Sequence, residues 1–201
     1  GQAGCHFVDD ENSRDLLVGY AVAARELAAQ LEQENILPSA GRPLIVYIPC
    51  GVGGAAGGIA LGLKAIFGQA VLTVVVEPIA SACMMAARLN DDRAVSVYDF
   101  GLHNQTIADG LAVPCASQLV LDVAAACIDA AVAVRDEAML SDARRLWADA
   151  GLKLEPSAAA GFSARAPFQA IAGDTLRAAT ELVWTTGGQL MPEHEFAALI
   201  A

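Results

Sequence analysis

Residues 44–68 have the sequence LIVYIPCGVGGAAGGIALGLKAIFG, and this stretch decides how the chain folds. Its first five residues are apolar and rich in β-branched side chains, as in a parallel strand that is covered on both faces. A glycine-rich turn follows over residues 50–58, and a helical pattern runs from about residue 59 to residue 67. Gly68 then stands where a helix-ending glycine belongs. A strand, a glycine turn and a helix in this order predict one unit of a parallel α/β sheet.

Strand and helix patterns alternate on both sides of this unit. Further strands are predicted at residues 71–76, 94–97 and 181–184, with another candidate at 131–134. Helices are predicted from residue 12 or 13 onward and over residues 81–89, 117–130, 136–150 and 192–200, while the alanine-rich residues 158–172 stay ambiguous. We therefore expect an α/β fold of three layers, in which a parallel sheet is flanked by helices.

The composition excludes several classes of protein. The chain has 201 residues, of which 55% are hydrophobic and 17% charged, so it has enough apolar material for a folded core. Its net charge of −11 would repel a phosphate backbone, so no nucleic-acid partner is expected. The longest uncharged apolar run, residues 43–63, contains two prolines and a glycine turn, so no membrane span is expected.

The cysteines and the amino terminus predict the cellular compartment of the protein. The number of cysteines is odd and none forms a C-x-x-C pair, which is typical of reduced thiols in a cytoplasmic protein. The five are Cys5, Cys50, Cys83, Cys115 and Cys127. No basic segment precedes an apolar stretch, so no signal peptide is predicted. The chain begins with Gly1 instead of Met, and we expect it to be a piece of a longer protein.

The glycine turn between strand and helix is suited to binding an anion, because backbone N–H groups converge there and the helix dipole favours negative charge. No Gly-Lys-Ser/Thr follows, which excludes a P-loop. Gly51-x-Gly53-x-x-Ala56 fits the dinucleotide fingerprint, and Glu77 ends the next strand where a ribose-binding acid would stand. Spacing alone leaves three interpretations open: a dinucleotide site, another phosphate site, or tight packing.

Two features favour a single phosphate monoester. The paired glycines of GVGGAAGG offer more consecutive N–H groups than a pyrophosphate turn needs. A second glycine pair, in the sequence Thr185-Thr186-Gly187-Gly188, follows a late strand. Because the carboxyl ends of parallel strands open on one crevice, a hydroxyl at that end can reach the same ligand.

Six ordered blocks carry a resemblance to a known family. They are FVDDENSRDLLVGYAVA (7–23), PCGVGGAAGGIALGLKAIFG (49–68), EPIASACM (77–84), TIADGLAV (106–113), LEPSAAAG (154–161) and LVWTTGG (182–188). With these blocks the sequence resembles the pyridoxal-phosphate (PLP) enzymes of fold type II, the tryptophan synthase β fold. Within that fold it is most similar to the D-serine dehydratases, also called D-serine ammonia-lyases.

The resemblance implies a set of residues for pyridoxal 5'-phosphate. The cofactor's phosphate would be held by the backbone amides of Gly51, Val52, Gly53, Gly54 and Ala55. Ala55-Ala56 replaces the Gly-Pro expected in close relatives, which leaves every amide donor in place. Thr186 resembles the hydroxyl residue that bonds the pyridine nitrogen, where a neutral partner keeps the ring a moderate electron sink. Thr185 competes for this role, and a turn-forming threonine is the alternative.

The same resemblance suggests a cation site and a substrate side. Glu77, Ser81 and Cys83 lie where relatives place a monovalent or divalent cation, with K⁺ the expected ion. A thiol is a poor ligand for a hard cation. The alternative is that Glu77 binds no cation and accepts hydrogen bonds from nearby backbone amides. Asp9 and Asp10 fall on the substrate side of the site, or else are ordinary acidic residues ahead of a helix.

An enzyme of this type needs a lysine that forms the Schiff base and then moves the α-proton. The family places it in an amino-terminal motif, and neither Lys64 nor Lys153 matches that motif. We therefore expect residues 1–201 to be a C-terminal fragment, inactive alone and partnered by the missing N-terminal half. The complete enzyme would convert D-serine to pyruvate and ammonia by way of a PLP aldimine. The alternatives are an NAD-binding Rossmann domain of a dehydrogenase and a non-catalytic domain that binds a phosphorylated ligand.

Overall fold

The computed structural model describes residue 4 and residues 8–201, so Cys5 and the Phe7 that opens the first family-like block lie outside the described residues. Within this part of the chain, four parallel strands form one sheet in the order β3-β2-β1-β4. The strands are β1 (Leu44–Pro49), β2 (Val71–Pro78), β3 (Ala130–Val134) and β4 (Thr180–Val183). The predicted parallel α/β sheet is confirmed.

Helices connect the strands and cover both faces of the sheet. They are α1 (Arg14–Gln33), α2 (Gly54–Phe67), α3 (Cys83–Leu89), α4 (Gln118–Val123), α5 (Asp136–Ala150), α6 (Pro156–Ala172) and α7 (Glu193–Ile200). Ser13 caps α1, since its Oγ accepts a hydrogen bond from the amide of Leu16 at 3.2 Å. The ambiguous alanine-rich segment is thus a helix, α6, and it begins with a proline in its first turn.

The central strand β1 shows why the fold has three layers. Its side chains alternate between two apolar cores, with Leu44, Val46 and Ile48 on one face and Ile45 and Tyr47 on the other. The first core lies under α1 to α4, and the second lies under α5 and α6. Every residue of β1 is buried, which explains its continuous apolar run.

Helices α1 and α2 pack unusually closely. A Cβ atom on Gly58 would lie 2.3 Å from the carbonyl oxygen of Leu17, and one on Gly62 would lie 2.5 Å from that of Ala21. The contacts advance in the same direction along both helices, so α1 and α2 run parallel. Both helices therefore begin at the same edge of the sheet.

Three elements differ from the sequence prediction. Helix α2 begins at Gly54 instead of residue 59. Gly57 and Gly58 lie inside the helix, where the lack of a side chain leaves room for the elements packed against it. Residues 94–97 form no strand, since Ser96 and Asp99 make a capping box that starts a 3-10 turn at Val97–Phe100. The helix predicted over 117–130 ends at Val123, so that the chain can enter β3 beside β2.

None of the helices in the described residues is both long enough and apolar enough to cross a membrane.

Candidate active site

The loop between β1 and α2 turns its carbonyl groups toward the protein. The carbonyl oxygen of Gly51 accepts from Cys83 Sγ at 3.4 Å, and that of Val52 accepts from the amide of Ser117 at 2.9 Å. The carbonyl of Gly53 accepts from the amide of Gly57 at 2.7 Å. In a trans peptide the N–H group points opposite to the C=O group. The N–H groups of residues 52–54 therefore point away from the protein donors.

Gly53 is required at the start of α2. Its φ of +107° lies in the left-handed region, and a Cβ atom there would stand 2.6 Å from Met84 Cε and 3.3 Å from Val120 Cγ1. Helix α2 has no side-chain cap and no acidic residue in its first turn. Its first amides and the positive end of its dipole are consequently available to an anion.

A cavity of about 230 Å³ lies in front of this loop and brings together Asp10, residues 51–55 and Thr186 of the predicted site. No lysine or arginine of the described residues lines it, so an anion bound there would be held by amides. It is lined by Asp10, Tyr20, Pro49, Gly51, Val52, Gly53, Gly54, Ala55, Ala56, Gly110, Leu111, Val113 and Thr186.

Thr186 lines this cavity, whereas Thr185 lines a separate groove between α1 and β4. The two neighbours differ because successive residues of an extended chain point to opposite sides. Gly188 allows the chain to pass close to residues 153–155, since a Cβ atom on it would stand 2.3 Å from the carbonyl oxygen of Lys153. The structure thus separates two threonines that the sequence left in competition.

The two acidic residues ahead of α1 also have different surroundings. Asp9 Oδ1 accepts from the amides of Glu11 at 3.0 Å and Asn12 at 2.5 Å, which is a local turn. Asp10 lines the cavity, and its carbonyl oxygen lies against Gly54. Asp10 is therefore the better candidate for the substrate side.

Tyr20 is a cavity residue that the sequence motifs did not single out. It lies one turn before Ala24 on α1, and a Cβ atom on Gly58 would stand 2.7 Å from Tyr20 Cβ. Side chains on a helix tilt toward its amino terminus, which carries the Tyr20 ring toward the cavity. The amphipathic character of tyrosine was the only signal for this position in the sequence.

Glu77 is fully buried and serves as a cap for α3. Its two carboxylate oxygens accept from the amides of Met84 at 2.7 Å and Met85 at 2.9 Å. Burial raises the pKa of Glu77 to about 7, even though these two hydrogen bonds act in the opposite direction. A carboxylate held in this way does not reach a ribose. The dinucleotide interpretation therefore lacks the ribose-binding acid that Glu77 was predicted to supply.

Ser81 and Cys83 have distinct surroundings. Ser81 Oγ lies 2.6 Å from Asn104 Oδ1 and 3.0 Å from the carbonyl oxygens of Leu111 and Val113. A hydroxyl has one hydrogen and can donate to only one of these oxygens at a time. Burial, together with the nearby Glu77, raises the pKa of the Cys83 thiol. Within the described residues, no three His, Cys, Asp or Glu side chains are grouped as a metal site.

The side chains of both lysines form hydrogen bonds and ion pairs outside the cavity. Lys64 Nζ donates to the carbonyl oxygen of Val71 at 2.6 Å and forms an ion pair with Asp129 at 2.9 Å. It lies about 15 Å along α2 from Gly54, given the helix rise per residue. Lys153 Nζ contacts the carbonyl of Met191 at 2.7 Å and Glu193 Oε1 at 2.6 Å.

A family model described as "Pyridoxal-phosphate dependent enzyme" matches residues 2–185, which include the glycine loop and β4. The chain belongs to this family. Among curated members, a "Probable D-serine dehydratase" of Cupriavidus pinatubonensis is 43% identical over 205 residues, and one of Burkholderia pseudomallei is 47% identical over 210. Each match covers 97% of this chain and 46% of the relative. The chain thus spans about half the length of the curated relatives it matches.

Solved structures of the PLP family share the fold. A fungal L-serine ammonia-lyase from Rhizomucor miehei has a TM-score of 0.78 at 21% identity, covering 98% of this chain and 60% of that one. The processed form of threonine deaminase isoform 2 from Solanum lycopersicum has a TM-score of 0.78 at 20% identity, covering 98% and 53%. The fold is therefore that of the fold type II PLP enzymes.

Proposed function

We propose that this chain is the part of a PLP-dependent D-serine dehydratase that holds the phosphate of the cofactor. The observation that carries the proposal is the cavity that the residues at the α2 amino terminus line together with Thr186. The curated relatives named D-serine dehydratase, at 43–47% identity, support the substrate class. The complete protein would convert D-serine to pyruvate and ammonia.

The residues of the cavity fit pyridoxal phosphate. Gly51, Val52, Gly53, Gly54 and Ala55 would bind its phosphate through backbone amides, which matches the absence of basic side chains among the lining residues of the described cavity. Thr186 would hydrogen-bond the pyridine nitrogen. Bound PLP supplies an electron sink for the bonds at the substrate's α-carbon. A hydroxyl beside the ring nitrogen leaves it largely unprotonated, which suits elimination of a β-hydroxyl group.

Asp10 belongs to the substrate side in this proposal. It lines the same cavity as the proposed phosphate-binding amides, and its carboxylate would add negative charge on the substrate side. A carboxylate would repel the carboxyl group of an amino acid and attract its ammonium group. Asp10 is thus assigned to orienting the substrate, and Asp9 to the local turn that holds Asp10 in place.

A monovalent cation such as K⁺ is proposed beside Glu77, Ser81 and Cys83. Support comes from the oxygen atoms that gather around Ser81 Oγ, because hard cations prefer oxygen ligands. Glu77 would contribute through its charge, since both of its oxygens already accept amide hydrogen bonds. We also place the enzyme in the cytoplasm, in keeping with its four described free thiols.

The proposal is tested by complementation with a relative. This chain is co-expressed with the half of the Cupriavidus pinatubonensis protein that lies outside the match, and the product is assayed with D-serine, L-serine and PLP. We expect PLP-dependent release of pyruvate from D-serine, in preference to L-serine. A folded complex that binds PLP without turning over D-serine would contradict the substrate assignment. A complex that does not bind PLP would contradict the whole proposal.

A further inference from the structure

Two arginines lie together where α3 ends beside α4. Arg88 belongs to the last turn of α3, and Arg93 follows soon after that helix. Both line a cavity of about 320 Å³, together with Leu121, Ala125 and Ala126. None of these residues lines the cavity in front of the glycine loop. The two arginines therefore belong to a second, separate cavity.

Backbone carbonyls hold both guanidinium groups in place. Nη1 of Arg88 donates to the carbonyl oxygen of Ala125 at 2.6 Å, and its Nη2 donates to that of Ile128 at 3.0 Å. Nη1 of Arg93 donates to the carbonyl oxygen of Leu121 at 3.0 Å. Because these hydrogen bonds position the side chains in advance, a ligand that binds them costs little further side-chain entropy.

Most of the N–H groups of the two guanidinium groups have no carbonyl partner among the described residues. A guanidinium group has five N–H donors. Arg88 uses two of them on carbonyls, and Arg93 uses one. The carbonyls lie on the protein side, so a ligand would approach from the cavity. The planar fork of N–H groups matches the oxygens of a phosphate or a carboxylate.

The positive charges of the two arginines are poorly balanced by carboxylates. Within the described part of the chain Arg88 forms no ion pair, and Arg93 lies 3.9 Å from Asp122, whose side chain is 71% exposed. The other ion pairs of lysine and arginine in that part are closer, at 2.6–2.9 Å. Two like charges at one cavity repel each other, and an anion bound between them would remove this repulsion.

The spacing of the two groups fits a phosphate. Their carbonyl partners at Leu121 and Ala125 are four residues apart, which is about 6 Å along a helix axis. A phosphate that accepts one hydrogen bond on each side joins nitrogens up to about 8 Å apart, given its width and ordinary hydrogen-bond lengths. We propose that Arg88 and Arg93 form a binding site for a phosphate group, carried by the free ion or by a phosphomonoester. This inference does not depend on the proposed enzymatic function.

Anion titration followed by amide NMR tests the proposal. The isotope-labelled chain is titrated with sodium phosphate, with methyl phosphate and with sodium chloride at matched ionic strength. We expect phosphate to shift the amide signals of Ala125 and Ala126 with saturation, and chloride to leave them unchanged. Saturation by both phosphates would assign the site to phosphomonoesters, and saturation by inorganic phosphate alone would assign it to the free ion. Equal responses to phosphate and chloride would overturn the proposal.

Substitutions separate this site from general attraction of anions to arginine. Arg88→Gln and Arg93→Gln each remove one charge and keep a donor for the carbonyls. We expect each to weaken phosphate binding, measured at Ala125 and Ala126, by at least about tenfold. Arg144→Gln is the matched control, because Arg144 also donates to a backbone carbonyl, that of Leu199 at 2.9 Å, on other helices. It should leave phosphate binding unchanged, and an equal loss in all three variants would overturn the proposal.

The same spectra keep this site distinct from the glycine loop. The amides of residues 52–54 report phosphate at the proposed cofactor site, and their response should be the same in the arginine variants and in the unmodified chain. A loss at residues 52–54 alone would count against the proposed function, whereas a loss at residues 125 and 126 alone in the unmodified chain would overturn the arginine site. If a variant fails to fold by circular dichroism, the titration of the unmodified chain decides.

Discussion

At Gly53 the conformation of one residue connects the fold to the proposed phosphate site. Its φ of +107° sends the chain from β1 into α2, and the space where a side chain would lie is filled by Met84 and Val120. The loop can therefore turn its carbonyls inward and its amides outward only with glycine at this position.

Replacing Gly53 should damage both the loop and the cofactor site. We expect Gly53→Ala to lower the free energy of unfolding by about 1–3 kcal/mol, because the added Cβ meets Met84 Cε in a strained backbone conformation. PLP binding by the complemented enzyme should be lost at the same time. Urea unfolding and absorbance titration measure the two effects. Gly19→Ala is the matched control, since its Cβ would meet open space on α1, and it should be neutral or slightly stabilising.

Thr186 tests the assignment of the ring partner. In the complemented enzyme, Thr186→Asp would place a carboxylate beside the pyridine nitrogen and favour its protonation. We expect a loss of at least about 100-fold in kcat, with PLP still bound. Thr186→Ser keeps the hydroxyl and should keep most of the activity, and Thr185→Ser serves as the control outside the cavity. Normal turnover by Thr186→Asp would remove Thr186 from this role.

Among the elements, the pair of helices α1 and α2 sets the position of the site. Glycines at 54, 58 and 62 form a stripe along α2 that lets α1 and Asp10 ahead of it approach backbone to backbone. Both helices begin at the edge of the sheet where the cavity lies, so Asp10 precedes one helix and the glycine loop precedes the other.

Adding a side chain to this glycine stripe should push α1 and α2 apart. Gly62→Ala adds a Cβ that lies 2.5 Å from the carbonyl oxygen of Ala21 and 2.8 Å from Ala24 Cβ. We expect a net loss of about 1–3 kcal/mol in the free energy of unfolding, despite the better helix propensity of alanine. Thermal and urea unfolding measure it against Gly19→Ala, where the propensity gain occurs without a clash. A stabilised Gly62→Ala variant would contradict the close packing.

The contact between β4, β1 and α6 predicts a pH dependence. Glu181 accepts from Tyr47 Oη at 2.7 Å and forms an ion pair with Arg165 at 2.6 Å. Burial acts to raise the pKa of Glu181, but the hydrogen bonds from Tyr47 and Arg165 and the charge of Arg165 outweigh it and lower the pKa. This contribution to stability is present above the ordinary glutamate pKa and is lost as pH falls through the lowered one.

The Glu181→Gln substitution should therefore lower the free energy of unfolding only at pH values above the acid range. We expect the variant to be less stable than the original chain by about 1 kcal/mol at pH 7, with the exposure of Arg165 keeping the effect small. The difference should shrink as the pH falls from 7 into the acid range and through the lowered pKa of Glu181, because a protonated carboxyl group, like the glutamine amide, carries no charge. Urea midpoints measured across this range check it. A difference that grows with acidity would contradict the sign of the pKa shift.

At the scale of the whole molecule, no lysine lies beside the proposed phosphate-binding amides and Thr186 in the described part of the chain. Lys64 is bound at the far end of α2, and Lys153 is held by Met191 and Glu193. The curated relatives are about twice as long as this chain, which agrees with a site completed by residues outside the match.

We accordingly expect this chain alone not to convert D-serine. Lactate dehydrogenase-coupled detection of pyruvate should show no PLP-dependent signal above buffer. Borohydride trapping followed by peptide mapping should show slow and partial labelling of Lys64 and Lys153. Stoichiometric labelling of either lysine together with pyruvate formation would contradict the assignment of the cavity. Activity that appears on adding the remaining half of a relative would support it.

The sequence by itself determined the parallel α/β fold, the glycine loop that ends β1 and the family. These features are local, because the strand period, the glycine turn and the order of motifs are written in neighbouring residues. The tertiary structure alone placed Thr186 and Asp10 at the cavity and Thr185 and Asp9 outside it, and it made Glu77 a helix cap. It also moved the start of α2 to Gly54, because the need for glycine at 58 and 62 comes from α1. The choices made at the cavity and along α2 depend on partners far apart in the chain, whose approach is set by the packing of sheet and helices and leaves no trace in spacing along the sequence.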